Sequence, residues 1–326
     1  MVRADAPIGW EAGPTLKDRP YNPGMSAREL VADALIIGAP KAGTSALHGA
    51  LARHPQVYAS PVKEPKYYMC WNAPPPAYRG PGDPHSQQEW VWRREEYTAL
   101  FEAAPPDSVR LESTPFYLYL PSARRRIAED LPHAKLIVIV RDPIDRVYSN
   151  WMHLWVDGLE PIAGFAEAWH AEDGRIAAGW APFWHYRQLG RYGEQLEDLL
   201  NRVDRDRVLV LRYWQLVSQP TETLNRVARF LGIAEDRVSA VPPDNSRPFV
   251  EPGLRASVIG RAIRAGAAAG THLPPQIWRR VSKPSGRLTT RRHESTAEAG
   301  DRATCVAAGR GGGRHRHSAT SARRIL

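Results

Sequence analysis

The stretch "ALIIGAPKAGTSALHG" (34–49) sets the tightest limit on how this chain folds. An apolar run of strand length ends at Gly38, a turn follows, and helix-forming residues take over near Ser45. The pattern predicts a buried strand, a tight loop and a helix from about Ser45 to Arg53. Such a loop aims backbone N–H groups from the start of a helix at an anion, and the helix dipole adds to the attraction. Gly38 and Gly43 have the spacing of a triphosphate-binding loop, G-x-x-x-x-G-K-[ST], but Thr44 holds the lysine position and Lys41 lies inside the loop. Lys41, Ala42, Gly43, Thr44 and Ser45 are therefore candidate phosphate-binding residues for a ligand other than a plain triphosphate. The alternative is a strand–turn–helix with a surface lysine.

Strand-like and helix-like segments then alternate, the pattern of a parallel α/β sheet. Strands are expected at 109–114, 134–142 and 206–213, and helices at 121–131, after Pro143, at 191–203 and at 221–233, the last ended by Gly232. The fold class expected is α/β, a P-loop-like three-layer arrangement with a central, mostly parallel sheet flanked by helices. "LIVIVRDPIDRVYSNWMH" (136–153) would deliver Arg141 to a strand's carboxyl end, where ligands gather in open α/β sheets. Ser149, two helical turns further on, could join it at a second phosphate. Two separated anion sites suit a nucleotide with charged groups at both its 5′ and 3′ ends.

The organisation expected is an N-terminal extension (1–32), an α/β domain (33–250) with loop-rich inserts at 71–96 and 151–187, a basic helical segment (251–285) and a low-complexity tail (286–326). From Pro252 onward there are 15 basic and 3 acidic residues, a net of +12, against −3 for everything before. The basic character therefore belongs to the C-terminal end, and nucleic acid is not expected as a partner of the core. Two cysteines, Cys70 and Cys305, argue against a disulfide framework. With no recognisable leader or long apolar run, a cytoplasmic location is the expectation.

The chain resembles the PAPS-dependent sulfotransferases, bacterial and carbohydrate-type members in particular, over about residues 33–250. "PKAGTS" (40–45) is similar to the family's loop for the 5′-phosphosulfate, and Arg141 and Ser149 match its 3′-phosphate-binding pair. "SPVKEPKYY" (60–68), "ESTPFYLYLP" (112–121), "GRYGEQLEDLL" (190–200) and "VLVLRYWQL" (208–216) agree as well. The resemblance implies in-line sulfuryl transfer from PAPS, release of PAP and no metal. It gives Lys41 the bridging oxygen and makes Glu64 the general base, matching a glutamate placed shortly after the first helix. Glu64 could instead be an ion-pair partner of Lys63 or Lys66. Glu112 is the rival carboxylate, and His48 and His153 are expected to be packed or solvated. Ser113 stands where carbohydrate-type members often carry lysine, a contact that Lys66 could supply instead. Arg247 is a weak candidate for closing the 3′-phosphate site.

The acceptor is left open among small molecules, glycans and lipids. Trp151, Trp155, Trp169, Trp180 and Trp184 either face it or form core. The segment 254–270, with Arg255, Arg261 and Arg264 beside apolar residues, either touches the inner face of an anionic membrane or packs on the domain. Two rival functions stay in view. One is a P-loop kinase or triphosphatase using ATP–Mg²⁺, with Asp142 as the metal-binding acid. The other is a nucleotide-binding or membrane-associated protein without catalysis.

Overall fold

The computed structural model describes residues 31–81 and 90–241. Within them five apolar runs form one sheet: β1 (Ala34–Gly38), β2 (Val57–Ala59), β3 (Val109–Ser113), β4 (Lys135–Val140) and β5 (Val208–Arg212). Their order is β2-β3-β1-β4-β5, and every pairing is parallel. Parallel neighbours need long crossovers, which is why helices separate the strands in sequence and cover both faces. The uninterrupted apolar pattern of β1 and β4 is the mark of strands covered on both sides.

The helices are α1 (Thr44–Leu51), α2 (Tyr67–Cys70), α3 (Arg94–Ala99), α4 (Pro121–Asp130), α5 (Pro143–Val156), α6 (Phe165–His170), α7 (Glu172–Ala177), α8 (Tyr192–Leu200), α9 (Tyr213–Ser218) and α10 (Pro220–Leu231). Their ends have local causes. Asp142 Oδ1 accepts from the Ile144 and Asp145 amides at 2.9 and 3.1 Å, and Pro143 fills the first turn of α5. Gly232, at φ 72°, supplies the left-handed residue that stops α10.

The expected elements of residues 34–233 are present, with ends displaced by at most three residues. The strand β2 and the short helices α2, α3, α6, α7 and α9 were not expected. The 151–187 insert is more ordered than its loop-rich sequence suggested. Trp151, Trp169 and Trp184 are buried with Phe165, Leu154 and Tyr186 in a second core, and Trp155 and Trp180 pack against it. The three buried rings are therefore scaffold, which decides the core alternative for them. Arg247, the 251–285 segment and the 286–326 tail lie outside the described residues.

Candidate active site

The chain leaves β1 and β4 towards opposite sides of the sheet, so a crevice opens beyond the carboxyl ends of these neighbours. The loop 39–43 sits there. The Ala39 amide donates to the Ile139 carbonyl at 2.8 Å, fastening the loop to β4, and Ala42 donates back to Ala39 at 3.2 Å. Lys41 (φ 64°) and Gly43 (φ 91°) are both left-handed, which turns the chain directly into α1. Thr44 and Ser45 open that helix, whose first amides have no acceptor within the helix itself. Thr44 is buried and Ser45 half-buried.

Arg141 follows β4 immediately. Its Nη1 donates to the Lys41 carbonyl at 3.4 Å, and its guanidinium lies 4.7 Å from the centre of the Tyr213 ring. Its Nε is buried without a hydrogen-bond partner among the described residues. Tyr213 also meets the loop: a Cβ added at Gly43 would lie 2.9 Å from its Cδ2. Loop, arginine and tyrosine thus form one continuous wall. A buried guanidinium N–H, helix-start amides and a lysine on that wall fit an anionic group. Ser149 lies on α5, two turns beyond Arg141, and is half-buried.

Glu64 reaches the same edge by another route. The segment after β2 runs along the end of β3: Ser60 N–H donates to Leu111 O at 2.8 Å, and Glu64 N–H to Ser113 O at 2.9 Å. Lys66 N–H then bonds Thr114 Oγ1 at 3.3 Å. The Glu64 side chain is half-buried and pairs with Lys63 Nζ at 2.7 Å. With that pair formed, the Glu64 side chain is still 31% exposed. Lys66 Nζ lies 5.0 Å from the Trp90 ring.

The rival carboxylate is enclosed. Glu112 has no exposed surface and accepts from Thr114 Oγ1 at 2.6 Å and Tyr97 OH at 3.2 Å. Burial pushes its pKa up to about 7, against the hydrogen bonds that pull it down. Tyr97 and Tyr117 bond it, and their rings pack with those of Tyr67 and Tyr68. His48 bonds Ser113 Oγ through Nδ1 at 2.8 Å, and burial, with Lys63 nearby, lowers its pKa to about 4. His153 packs on the Phe183 ring at 5.4 Å. Asp142, the metal-binding acid of the kinase reading, spends one oxygen capping α5.

Two features escaped the sequence reading. Tyr213 stands directly after β5, and its place at a strand's carboxyl end was the available signal. The His48–Ser113 pair joins residues 65 positions apart, and no local pattern announces it.

A family model described as "Sulfotransferase family" matches residues 33–237. Mouse heparan sulfate glucosamine 3-O-sulfotransferase 6 is 29% identical over 241 residues, which is 71% of this chain and 63% of the relative. Mouse heparan sulfate glucosamine 3-O-sulfotransferase 3A1 is 29% identical over 71% of this chain and 54% of its own length. The chain thus spans between half and two thirds of the length of these two relatives. A crystal structure of a sulfotransferase from Alicyclobacillus acidocaldarius superposes with a TM-score of 0.61 at 30% identity, covering 76% of this chain and 98% of that one. The family match covers the whole sheet, the 39–43 loop, Arg141 and Glu64, and the chain belongs to the sulfotransferase family.

Proposed function

We propose that the chain transfers a sulfuryl group from PAPS to a hydroxyl or amine of its acceptor, releasing PAP. The observation that carries this reading is the joined wall of Lys41, Arg141 and Tyr213 at the sheet crevice, with Glu64 on the same edge. Lys41 and the amides of Ala42, Gly43, Thr44 and Ser45 hold the 5′-phosphosulfate, and Arg141 and Ser149 hold the 3′-phosphate. Tyr213 offers a flat face beside both. The sulfur–oxygen bond to the departing PAP breaks as the acceptor oxygen or nitrogen bonds to sulfur. Lys41 offsets the charge that grows on the bridging oxygen, and Glu64 takes the acceptor proton. No metal is assigned a role.

The heparan sulfate glucosamine sulfotransferases named above favour a glycan acceptor. Cytoplasmic location and contact of 254–270 with the inner membrane face belong to the same proposal, and co-sedimentation with anionic vesicles tests the contact.

Calorimetric titration with PAP, beside ATP–Mg²⁺, tests the nucleotide. PAP is expected to bind more tightly, and Lys41→Ala and Arg141→Ala each to weaken it about tenfold or more. ATP–Mg²⁺ binding without PAP binding would sink the proposal. Labelled PAPS then serves to screen glycan acceptors.

A further inference from the structure

We propose that His48 is a positioning residue for sulfuryl transfer: held on Ser113, it fixes the backbone from which Glu64 meets the acceptor. The inference rests on the reading of Glu64 as the base. Ser113 is the last residue of β3 and is wholly buried. It makes two bonds in two directions. Its carbonyl accepts the Glu64 amide at 2.9 Å, and its Oγ meets His48 Nδ1 at 2.8 Å. One residue therefore ties the base-bearing segment to α1, the helix whose first turn faces the phosphosulfate.

The segment needs the tie. Glu64 (φ 61°) and Lys66 (φ 65°) are both left-handed without being glycine, a conformation that costs about 1 kcal/mol or more and persists only where surroundings impose it. The end of β3 imposes it, through Ser113 O on Glu64 and Thr114 Oγ1 on Lys66. If His48 is removed, the Ser113 hydroxyl is left buried without its bond, and the strand end loses its link to α1. The charged groups acting on His48 are Lys63 and Glu64, both from the segment it steadies. As a neutral ring it steadies that segment without adding a second cation beside the Glu64–Lys63 pair. In-line transfer is sensitive to placement, and a displacement of about 1 Å can cost on the order of 10²-fold.

The test combines hydrogen exchange with turnover. In His48→Leu and in Ser113→Ala, amides in the 60–68 peptide are expected to exchange at least about tenfold faster, while PAP affinity changes by less than about threefold. His48→Asn, whose amide reaches the place of Nδ1, is expected to restore slow exchange. With labelled PAPS and a glucosamine oligosaccharide, kcat should fall about 10- to 100-fold in His48→Leu and recover in His48→Asn. Combining His48→Leu with Ser113→Ala should add little to either alone. Unchanged exchange at 60–68 in both single variants overturns the inference, and so does an equal loss of PAP affinity, which would mark a collapse of α1. Glu64→Gln separates the two readings. If it keeps full turnover, the base assignment fails; if it abolishes turnover while His48→Leu does not slow it, only the positioning role fails.

Discussion

Glu112 is buried and His48 half-buried, and their titrations push stability in opposite directions. Below about pH 4.5 the Glu112 carboxyl is protonated whether the chain is folded or not. Between 4.5 and about 7 the unfolded chain releases the proton while the folded protein keeps it, so folding stability falls as pH rises. The span from 4.5 to about 7 corresponds to roughly 3 kcal/mol. His48 is depressed instead: its contribution is present above 6.5 and is lost as pH falls towards 4. Glu112→Gln removes the first term and leaves the second. Urea midpoints taken from pH 5 to 8 are expected to change little up to about pH 6.5 in the wild type, where the two effects offset, and to rise over that range in the variant. Equal slopes would mean that Glu112 is already ionised in the folded protein.

At the scale of the element, the loop 39–43 and the helix α5 invite opposite tests. Gly43 has a left-handed φ and no room for a methyl group against Tyr213. Gly43→Ala is therefore expected to cost about 1 kcal/mol or more and to weaken PAP binding at least about tenfold, by strain and by moving the tyrosine. Asp142→Ala removes a cap worth about 1 kcal/mol, or about 2–4 °C in Tm, yet should leave PAP affinity within about threefold. Much of this frame was legible beforehand. β1, β4 and β5 announce themselves through unbroken apolar runs, and the phosphate loop is contiguous, so its residues could be named in order. β2 has only the three residues Val57, Tyr58 and Ala59, too few for any period, and its place is fixed by pairing with β3. Sequence identifies the tryptophans as apolar but not which way they point. The ties that build the site, Arg141 to Lys41 and His48 to Ser113, span 100 and 65 positions, and only the assembled sheet makes them neighbours.

Over the whole molecule, two cores must fold together: one around the sheet, the other around the tryptophans of the insert. Arg146 on α5 joins the insert to the frame, donating to the Tyr186 carbonyl and to Asn150 while wholly buried. Behind it, Glu160 has no exposed surface and holds Arg175 through two bonds at 2.6 and 2.9 Å, with the Tyr186 hydroxyl donating at 2.5 Å. The Coulomb gain of such a pair is largely offset by desolvation, but breaking it strands a buried charge. Arg175→Met is therefore expected to destabilise by about 3–5 kcal/mol, since Glu160 keeps only the tyrosine and the Ile162 amide. The double variant Glu160→Leu/Arg175→Met no longer buries a lone carboxylate and should be more stable than Arg175→Met by at least about 1 kcal/mol. Urea unfolding followed by tryptophan fluorescence and by far-ultraviolet circular dichroism reads both effects. Coincident transitions in every variant are expected, because Arg146 ties the insert to α5. Separate transitions would mean that the insert can open while the sheet and its nucleotide wall stay folded.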